Sequence, residues 1–405
     1  MHKEKEDIII VGAGLTGLAF CSLLKNSKIR ISLLDVQPKS FYKLEGNERY
    51  IVLSNSSKII LESIGLWENV SKYCSKVKNI HISKKNIFGS TIIKSSDEDL
   101  DSLGYQVPIN NLINILYSNI ENESNINLIH EAEATSVEKG DKIKIRYRQN
   151  FIDKSIFSTS LIFSSGSTDS LTQQIFPEKI QKDYQQDAIV CELISDKYNS
   201  DTAYERFTNK GVLGVIPRKE NAWTLIYSTD KTEAEIIKNL GNLEIKKYFQ
   251  NLIGLKCGHL SEIKNIKFYP LKMRYYKDFT NKNICLLGDA AHTLHPIAAQ
   301  SFNLSLRDCL YLSNMIKKIE STSKDNFSTI FDDYNIKRIK EVSRLVKFTD
   351  FLASFIHGRG FLKNNMISVS LLFMDMNKKL RINIIRYLLG VNFSESLISN
   401  LKKQQ

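Results

Sequence analysis

The chain has 405 residues, 42% of them hydrophobic and 25% charged, with a net charge of +12. That length carries a large core and two or three joined units, and the balance excludes a disordered chain. The positive charge favours anionic surfaces, but no basic run is dense enough for a nucleic-acid patch and no zinc-finger or RNA-binding motif is present, so the lysines are read as a solvated surface and nucleic acid is excluded as a partner.

Residues 7–35 read DIIIVGAGLTGLAFCSLLKNSKIRISLLD. Ile8 to Val11 is apolar on both faces, as a buried parallel strand requires. Gly12, Gly14 and Gly17 follow in G-x-G-x-x-G spacing, LAFCSLLK has helical periodicity, and RISLLD is a second apolar strand ending at Asp35, eighteen residues beyond Gly17. Gly12 makes the tight turn, Gly14 lets backbone approach a pyrophosphate, and Gly17 lets the helix pack on the strand. The helix N-terminus then presents free N–H groups to the phosphates, and Asp35 can accept from a ribose. The order of parts predicts a dinucleotide-binding unit; the motif alone leaves NAD and FAD open.

Further along, Arg49 precedes a short strand, where it serves either as a surface charge or as a phosphate contact, and a helix is expected from about Ser56. NIHISKK and STIIK are short strands. LGYQVPINNLINILYSNI is a strand, a proline-marked break and a helix from about Asn110. INLIHEAEATSVEKGDKIKIRYR alternates as strands around a turn at 139–141. SLIFSSGSTDS ends a strand in a loop containing Gly166. Residues 184–228 are rich in strands of a second, antiparallel sheet, and a long helix is expected near 232–252. NKNICLLGD is an apolar strand ending at Gly288 and Asp289, and 298–390 is mostly helical. The phosphate-binding unit is therefore discontinuous. The expected division is 1–70, 103–180 and 281–345 for that unit, 71–102 and 181–280 for the inserted sheet, and 346–405 for a C-terminal helical segment.

The six cysteines, at 21, 74, 191, 257, 285 and 309, form no C-x-x-C pair. This is cytosolic usage, with no disulfide framework and no metal site. The N-terminal MHKEKED leads straight into a strand, so no signal peptide is expected, and MISVSLLFM at 366–374 is too short to cross a bilayer.

Together, VGAGLTGLAF, the Arg49 segment with LESIGLW, LGYQV, AYERFTNKGVLGVIP and LLGDAAHTLHPIAAQSFNLSLRD resemble the single-component flavoprotein aromatic hydroxylases of the p-hydroxybenzoate hydroxylase fold. Within them the chain most resembles the ubiquinone-biosynthesis 2-polyprenyl-phenol and -benzoquinol hydroxylases. The resemblance implies an α/β, Rossmann-like FAD-binding domain with an inserted antiparallel substrate sheet and C-terminal helices. It also implies FAD, NAD(P)H and O2, and a polyprenyl phenol or quinol substrate. Carried over by position, Gly12, Ala13, Gly14, Thr16, Gly17 and Asp35 hold the ADP half. Arg49 reaches the phosphates or adjoining backbone, Asn110 and Gly166 contact the cofactor, and Asp289, after Gly288, binds ribitol hydroxyls. Pro296 faces the flavin ring. The turn 299–303, with Gln300, Ser301, Phe302 and Asn303, donates backbone N–H groups to it.

Two motifs depart from the family. Its Pro-x-x-Gly-Gln-Gly-x-Asn-x-Gly turn has Ala299, Ser301 and Ser305 at the glycine positions, and its Ala-Asp-Gly is Ser164-Ser165-Gly166. A residue with a Cβ at φ > 0 costs about 1 kcal/mol or more, and the Cβ of Ser301 could push the ring outward. Either small side chains preserve flavin binding, or the fold survives as a weakly flavin-binding, non-catalytic scaffold in a quinone-biosynthesis complex. His292 reads as packing; His295 stays open as a catalytic candidate, and no base is assigned. The C-terminal stretch 351–390, with Arg359, Lys363, Lys378, Lys379, Arg381 and Arg386 among apolar residues, reads as core helix or as a peripheral contact with the inner face of the membrane, suited to a prenylated substrate. The expected location is cytoplasmic.

Overall fold

Ile8, Ile9 and Ile10 have no polar side chain to offer water, and the strand they form lies fully buried inside a sheet. The computed structural model describes residues 6–44, 49–85, 89–166, 170–198, 201–294, 301–319 and 326–356, with 377, 379 and 386. In chain order the elements are β1 (Glu6–Val11), α1 (Leu15–Leu24), β2 (Ile31–Leu34), β3 (Tyr50–Leu53), α2 (Asn55–Ser63), α3 (Trp67–Ser71), β4 (Ser75–Val77), β5 (Asn79–Lys84), β6 (Ser90–Lys94), β7 (Gly104–Pro108) and α4 (Ile109–Ile120). There follow β8 (Ile126–Ile129), β9 (Ala132–Glu138), β10 (Ile143–Gln149), β11 (Ile152–Phe163), α5 (Ser170–Ile175), β12 (Lys179–Ser195), β13 (Thr202–Phe207), β14 (Gly211–Pro217) and β15 (Ala222–Asp230). The last are α6 (Lys231–Lys238), α7 (Asn242–Ile253), β16 (Leu260–Tyr276), β17 (Thr280–Asn281), β18 (Ile284–Leu286), β19 (His292–Thr293), α8 (Ser301–Ile319) and α9 (Phe327–Ile356).

Strands β18, β11, β1, β2 and β8 pair in parallel in that order, with β17 at one edge and the β9–β10 hairpin running antiparallel off β11. This is the expected Rossmann-like unit, assembled from three separate stretches of chain. The second sheet runs β19, β16, β12, β15, β14, β13, β5, β6, antiparallel except where β13 meets β5. One of its faces packs α6 and α7 around Trp223, Leu225, Tyr227 and Phe249. A small sheet, β3-β7-β4, lies between the two.

The helix expected near 232–252 is two helices. Gly241 takes an extended backbone, and its N–H donates to the Glu244 carboxylate at 3.0 Å, so a new helix starts where the first ends. The turn expected at 299–303 is also different: α8 already begins at Ser301. No element was expected at 260–276, where β16 forms a 17-residue strand; register shifts against β12 and Pro270 blur its alternation. Of the C-terminal basic residues, Arg386 donates to Glu98 at 2.7 Å and Lys379 is exposed, while Arg359, Lys363, Lys378 and Arg381 lie outside the described residues.

A buried ion network ties the last elements together. His292 Nε2 lies 2.6 Å from Asp308, whose other oxygen accepts from Arg338 Nε at 2.6 Å, and Glu341 accepts from both Arg338 and Arg307. Burial alone would raise the Asp308 carboxyl, but Arg338 and His292 hold it below the ordinary carboxylate range. Its contribution to stability is therefore present above its unfolded pKa and is lost as pH falls through the lowered one. Asp308→Ala leaves Arg338 buried without that partner and is expected to cost about 3–5 kcal/mol in urea unfolding at neutral pH, a penalty that shrinks on acidification.

Candidate active site

The glycine loop is fixed by what each position touches. Gly12 sits at φ +108, and a Cβ on it would stand 2.6 Å from Ser165 N. A Cβ on Gly17 would stand 2.0 Å from Gly12 O, so α1 packs directly on the end of β1. Gly14 differs: nothing lies within 4 Å of the place its Cβ would take, and its φ of −71 suits any residue. The space over Gly14 is unfilled by protein, as a backbone lying against a ligand requires. It opens at the N-terminus of α1, which has no side-chain cap and no acid in its first turn, so its N–H groups and positive dipole end remain available to an anion. Half-buried Asp35 accepts from Gln37 N at 2.8 Å and from Ala13 N, which orients the carboxylate beside the loop.

The stretch that departs from Ala-Asp-Gly buttresses this loop. Ser164 Oγ donates to Gly12 O at 2.7 Å, and the Ser164 and Ser165 N–H groups both donate to Val11 O. Gly166 is exposed beside them, with open space where a Cβ would go. The small side chain and backbone N–H groups of this stretch hold the turn of Gly12 without the carboxylate.

The Gly-Asp motif meets the loop from the other side. Gly288, at φ +61, packs so closely that a Cβ would stand 2.7 Å from Thr16 and 2.8 Å from Ser305 Oγ. Asp289 next to it has an exposed side chain, with protein close around it. That enclosure raises its carboxyl above the ordinary range; His292 and Arg274 pull it down, and Asp308 adds to the rise. Arg274 Nη2 also donates to the Asp289 carbonyl at 3.3 Å.

Ser301, Phe302 and Asn303 form the first turn of α8, and neither Ser301 nor Ser305 has positive φ, so the backbone cost expected for replacing glycine there does not arise. The Asn303 side chain is held by the chain before it: its Oδ1 accepts from Ser54 N at 2.8 Å and Ser57 Oγ at 2.6 Å, and its Nδ2 donates to Val52 O at 2.9 Å. It clamps β3 and α2 to α8. Arg49 is exposed at the start of β3, where its carbonyl accepts from Ile109 N, and this brings it beside Asn110 in the first turn of α4. His295, Pro296, Ala299 and Gln300 lie outside the described residues. His292 is fully buried in its pairing with Asp308 and packs, as expected.

Residues that the motifs did not mark join the inserted sheet to this unit. Arg218 is paired with Glu192 at 2.9 Å, donates to Tyr50 Oη at 2.6 Å and stacks 3.9 Å over the Tyr50 ring. Arg218 had no signal in the sequence, because its partners stand 26 residues before it in β12 and 168 before it in β3.

The open space at Gly14 and the closed space at Gly17 separate two kinds of substitution. Gly14→Val is expected to leave the ligand-free unfolding midpoint within about 1 kcal/mol of the parent while abolishing retention of a dinucleotide. Gly17→Val is expected to lower the midpoint itself by several kcal/mol, because backbone has to move. Thermal unfolding and absorbance after desalting read the two effects apart.

The chain matches the family model of the FAD binding domain over residues 5–349. It is 24% identical over 357 residues to ubiquinone hydroxylase UbiM of Neisseria meningitidis, covering 85% of this chain and 76% of that protein. It is 23% identical over 459 residues to the mitochondrial ubiquinone biosynthesis monooxygenase COQ6 of Dictyostelium discoideum, covering 97% and 92%. The crystal structure of p-nitrophenol 4-monooxygenase PnpA from Pseudomonas putida superposes with a TM-score of 0.78 over 96% of this chain and 99% of that one, at 13% identity, a likeness of fold. With the family model spanning most of its length, this chain belongs to the FAD binding domain family.

Proposed function

We propose that the chain is an FAD-dependent monooxygenase that hydroxylates the ring of a polyprenylated phenol or quinol in ubiquinone biosynthesis, with NAD(P)H and O2 as co-substrates. The observation that carries the reading is the pairing of unfilled space over Gly14 with a walled but accessible Asp289 on the far side of the same loop. FAD, when bound, supplies electron transfer and oxygen activation. The chain's own residues bind and orient. The α1 N-terminus and the backbone at Ala13 and Gly14 face the pyrophosphate, and Asp35 accepts from the adenosine ribose. Asp289 accepts from the ribitol chain, with Arg274 holding its backbone. Arg49 and Asn110 flank the cradle from β3 and α4, Gly166 borders it beyond Ser165, and Ser301 and Phe302 present the start of α8. Pro296 and Gln300 complete the ring side. Residues 1–70, 103–180 and 281–345 carry the flavin, and 181–280 with 71–102 shape the substrate side.

The substrate class is supported by the names of the relatives. No helix among the described residues is long and apolar enough to cross a membrane, so contact with a lipid-borne substrate is proposed as peripheral, from the cytoplasmic side. Against the scaffold alternative, neither Ser301 nor Ser305 has positive φ, and Ser305 packs on Gly288 without a Cβ in its way. The purified protein, desalted after addition of FAD, is expected to keep a flavin absorption band. With a short-tailed prenylphenol it is expected to consume NAD(P)H and yield a product one oxygen atom heavier. A folded protein without retained flavin would return the scaffold reading to first place.

A further inference from the structure

We propose that Glu205 receives the ring hydroxyl of the substrate, and that Gly214, opposite it on the next strand, is the notch that admits the ring. The proposal rests on the hydroxylase reading above and names the residues that would recognise the phenol.

Side chains alternate along β13. Tyr204 and Arg206 turn under α7: Tyr204 lies 6.1 Å from the Trp223 ring centroid, and Arg206 donates to Ile253 O at 3.3 Å. Glu205 therefore points to the opposite face. That face confronts the flavin unit, as two contacts show. Ile82, directly beside Glu205 in the ladder, packs with Leu103 at the entry to β7. Glu192, on the same face, makes the Arg218 bridge to Tyr50 of β3. The register row through Glu205 runs Thr91, Ile82, Glu205, Gly214, Ile226, Val190, Lys267, so the carboxylate's immediate neighbours across the ladder are Ile82 and Gly214.

The two acids on this face are used differently. Glu192 is committed to Arg218. Glu205 has no hydrogen-bond or ion-pair partner among the described residues, although it is only partly exposed, and its burial pushes the carboxyl above the ordinary range. An acid desolvated without a partner is costly, and such costs are kept where a ligand supplies the partner.

Gly214 is the second, independent observation. Its φ is not in the left-handed region, and a Cβ on it would meet only Ile226 O, at 3.7 Å. Gly211, on the same strand, would place a Cβ 2.1 Å from Ser228 O. Packing demands glycine at 211; neither packing nor torsion demands it at 214, where glycine only weakens the strand. What it leaves is space beside the carboxylate. A face that leaves one acid unpaired with a gap beside it suits a ring that carries a hydroxyl. Glu205 accepts the O–H hydrogen bond and then the proton: the phenol O–H bond breaks, a new O–H bond forms on the carboxylate, and the electron pair stays on the ring oxygen, enriching the ring for attack by an electrophilic oxygen. The proton returns from Glu205 to the ring oxygen when the product leaves.

The test uses the flavin-loaded full chain, with 2-prenylphenol and its methyl ether, 2-prenylanisole, as probes in calorimetric titration and in turnover. Glu205→Gln is expected to keep the flavin band and to melt no lower than the parent, since it removes a desolvated charge. It is expected to bind the phenol about tenfold or more weakly while binding the ether unchanged, and to lose about 10²-fold in phenol turnover. Gly214→Val is expected to lose both probes and keep flavin. Equal phenol binding and turnover in parent and Glu205→Gln overturns the assignment. So does a variant that melts lower and loses phenol and ether alike, because Glu205 is then structural. A parent that keeps flavin but binds and turns over neither probe overturns the hydroxylase reading, and this assignment with it.

Discussion

The site depends on a steric constraint at Gly288. Thr16 of α1, Ser305 of α8 and the backbone of Gly288 occupy one small volume, and none can grow without displacing another. Glycine at 288 is required twice, for its positive φ and for the missing Cβ. Because Gly288 gives up that volume, Ser305 can stand in α8 where the motif it resembles has glycine. A change that looks like damage in the linear motif is absorbed by a neighbour that only the fold brings close. The same contact sets Asp289 beside the start of α1, so the glycine loop and the Gly-Asp motif are registered by packing.

Around that contact the protein spends its charges in distinct ways. Asp308 and Arg338 are buried and mutually satisfied, and they fasten α8 and α9 behind the cradle. Glu192 and Arg218 are paired across the joint between the inserted sheet and β3. Asp289 and Glu205 are the exceptions, carboxyls enclosed by protein and raised above their ordinary range. Groups of this kind concentrate at functional sites, because a fold gains nothing from them by itself. Of the two, one stands beside the glycine loop and the other on the inserted sheet.

The Rossmann-like unit was legible because its signals are local. An unbroken apolar run, three glycines at fixed spacing and an acid at the end of the next strand each follow from backbone geometry within a few residues. The break at Gly241 was missed because a capping interaction, made by Glu244, overrode a continuous helical pattern. β16 was missed because its partner β12 supplies the order that its own alternation lacks. The Asn303 side-chain amide is held by Ser54, Ser57 and Val52, some 250 positions earlier in the chain, a demand that no spacing rule expresses.

Taken alone, then, the amino-acid sequence specified the class of fold, the dinucleotide loop and the discontinuous order of the flavin unit, since periodicity and turn chemistry act over short stretches of chain. Whether three lost glycines matter was a question of which atoms stand next to Ser301 and Ser305, and that depends on long-range packing. The role of Glu205 was equally hidden. It sits inside a recognisable motif, but its face, its missing partner and the gap at Gly214 exist only once β5, β13 and β14 lie side by side and the sheet is set against β3.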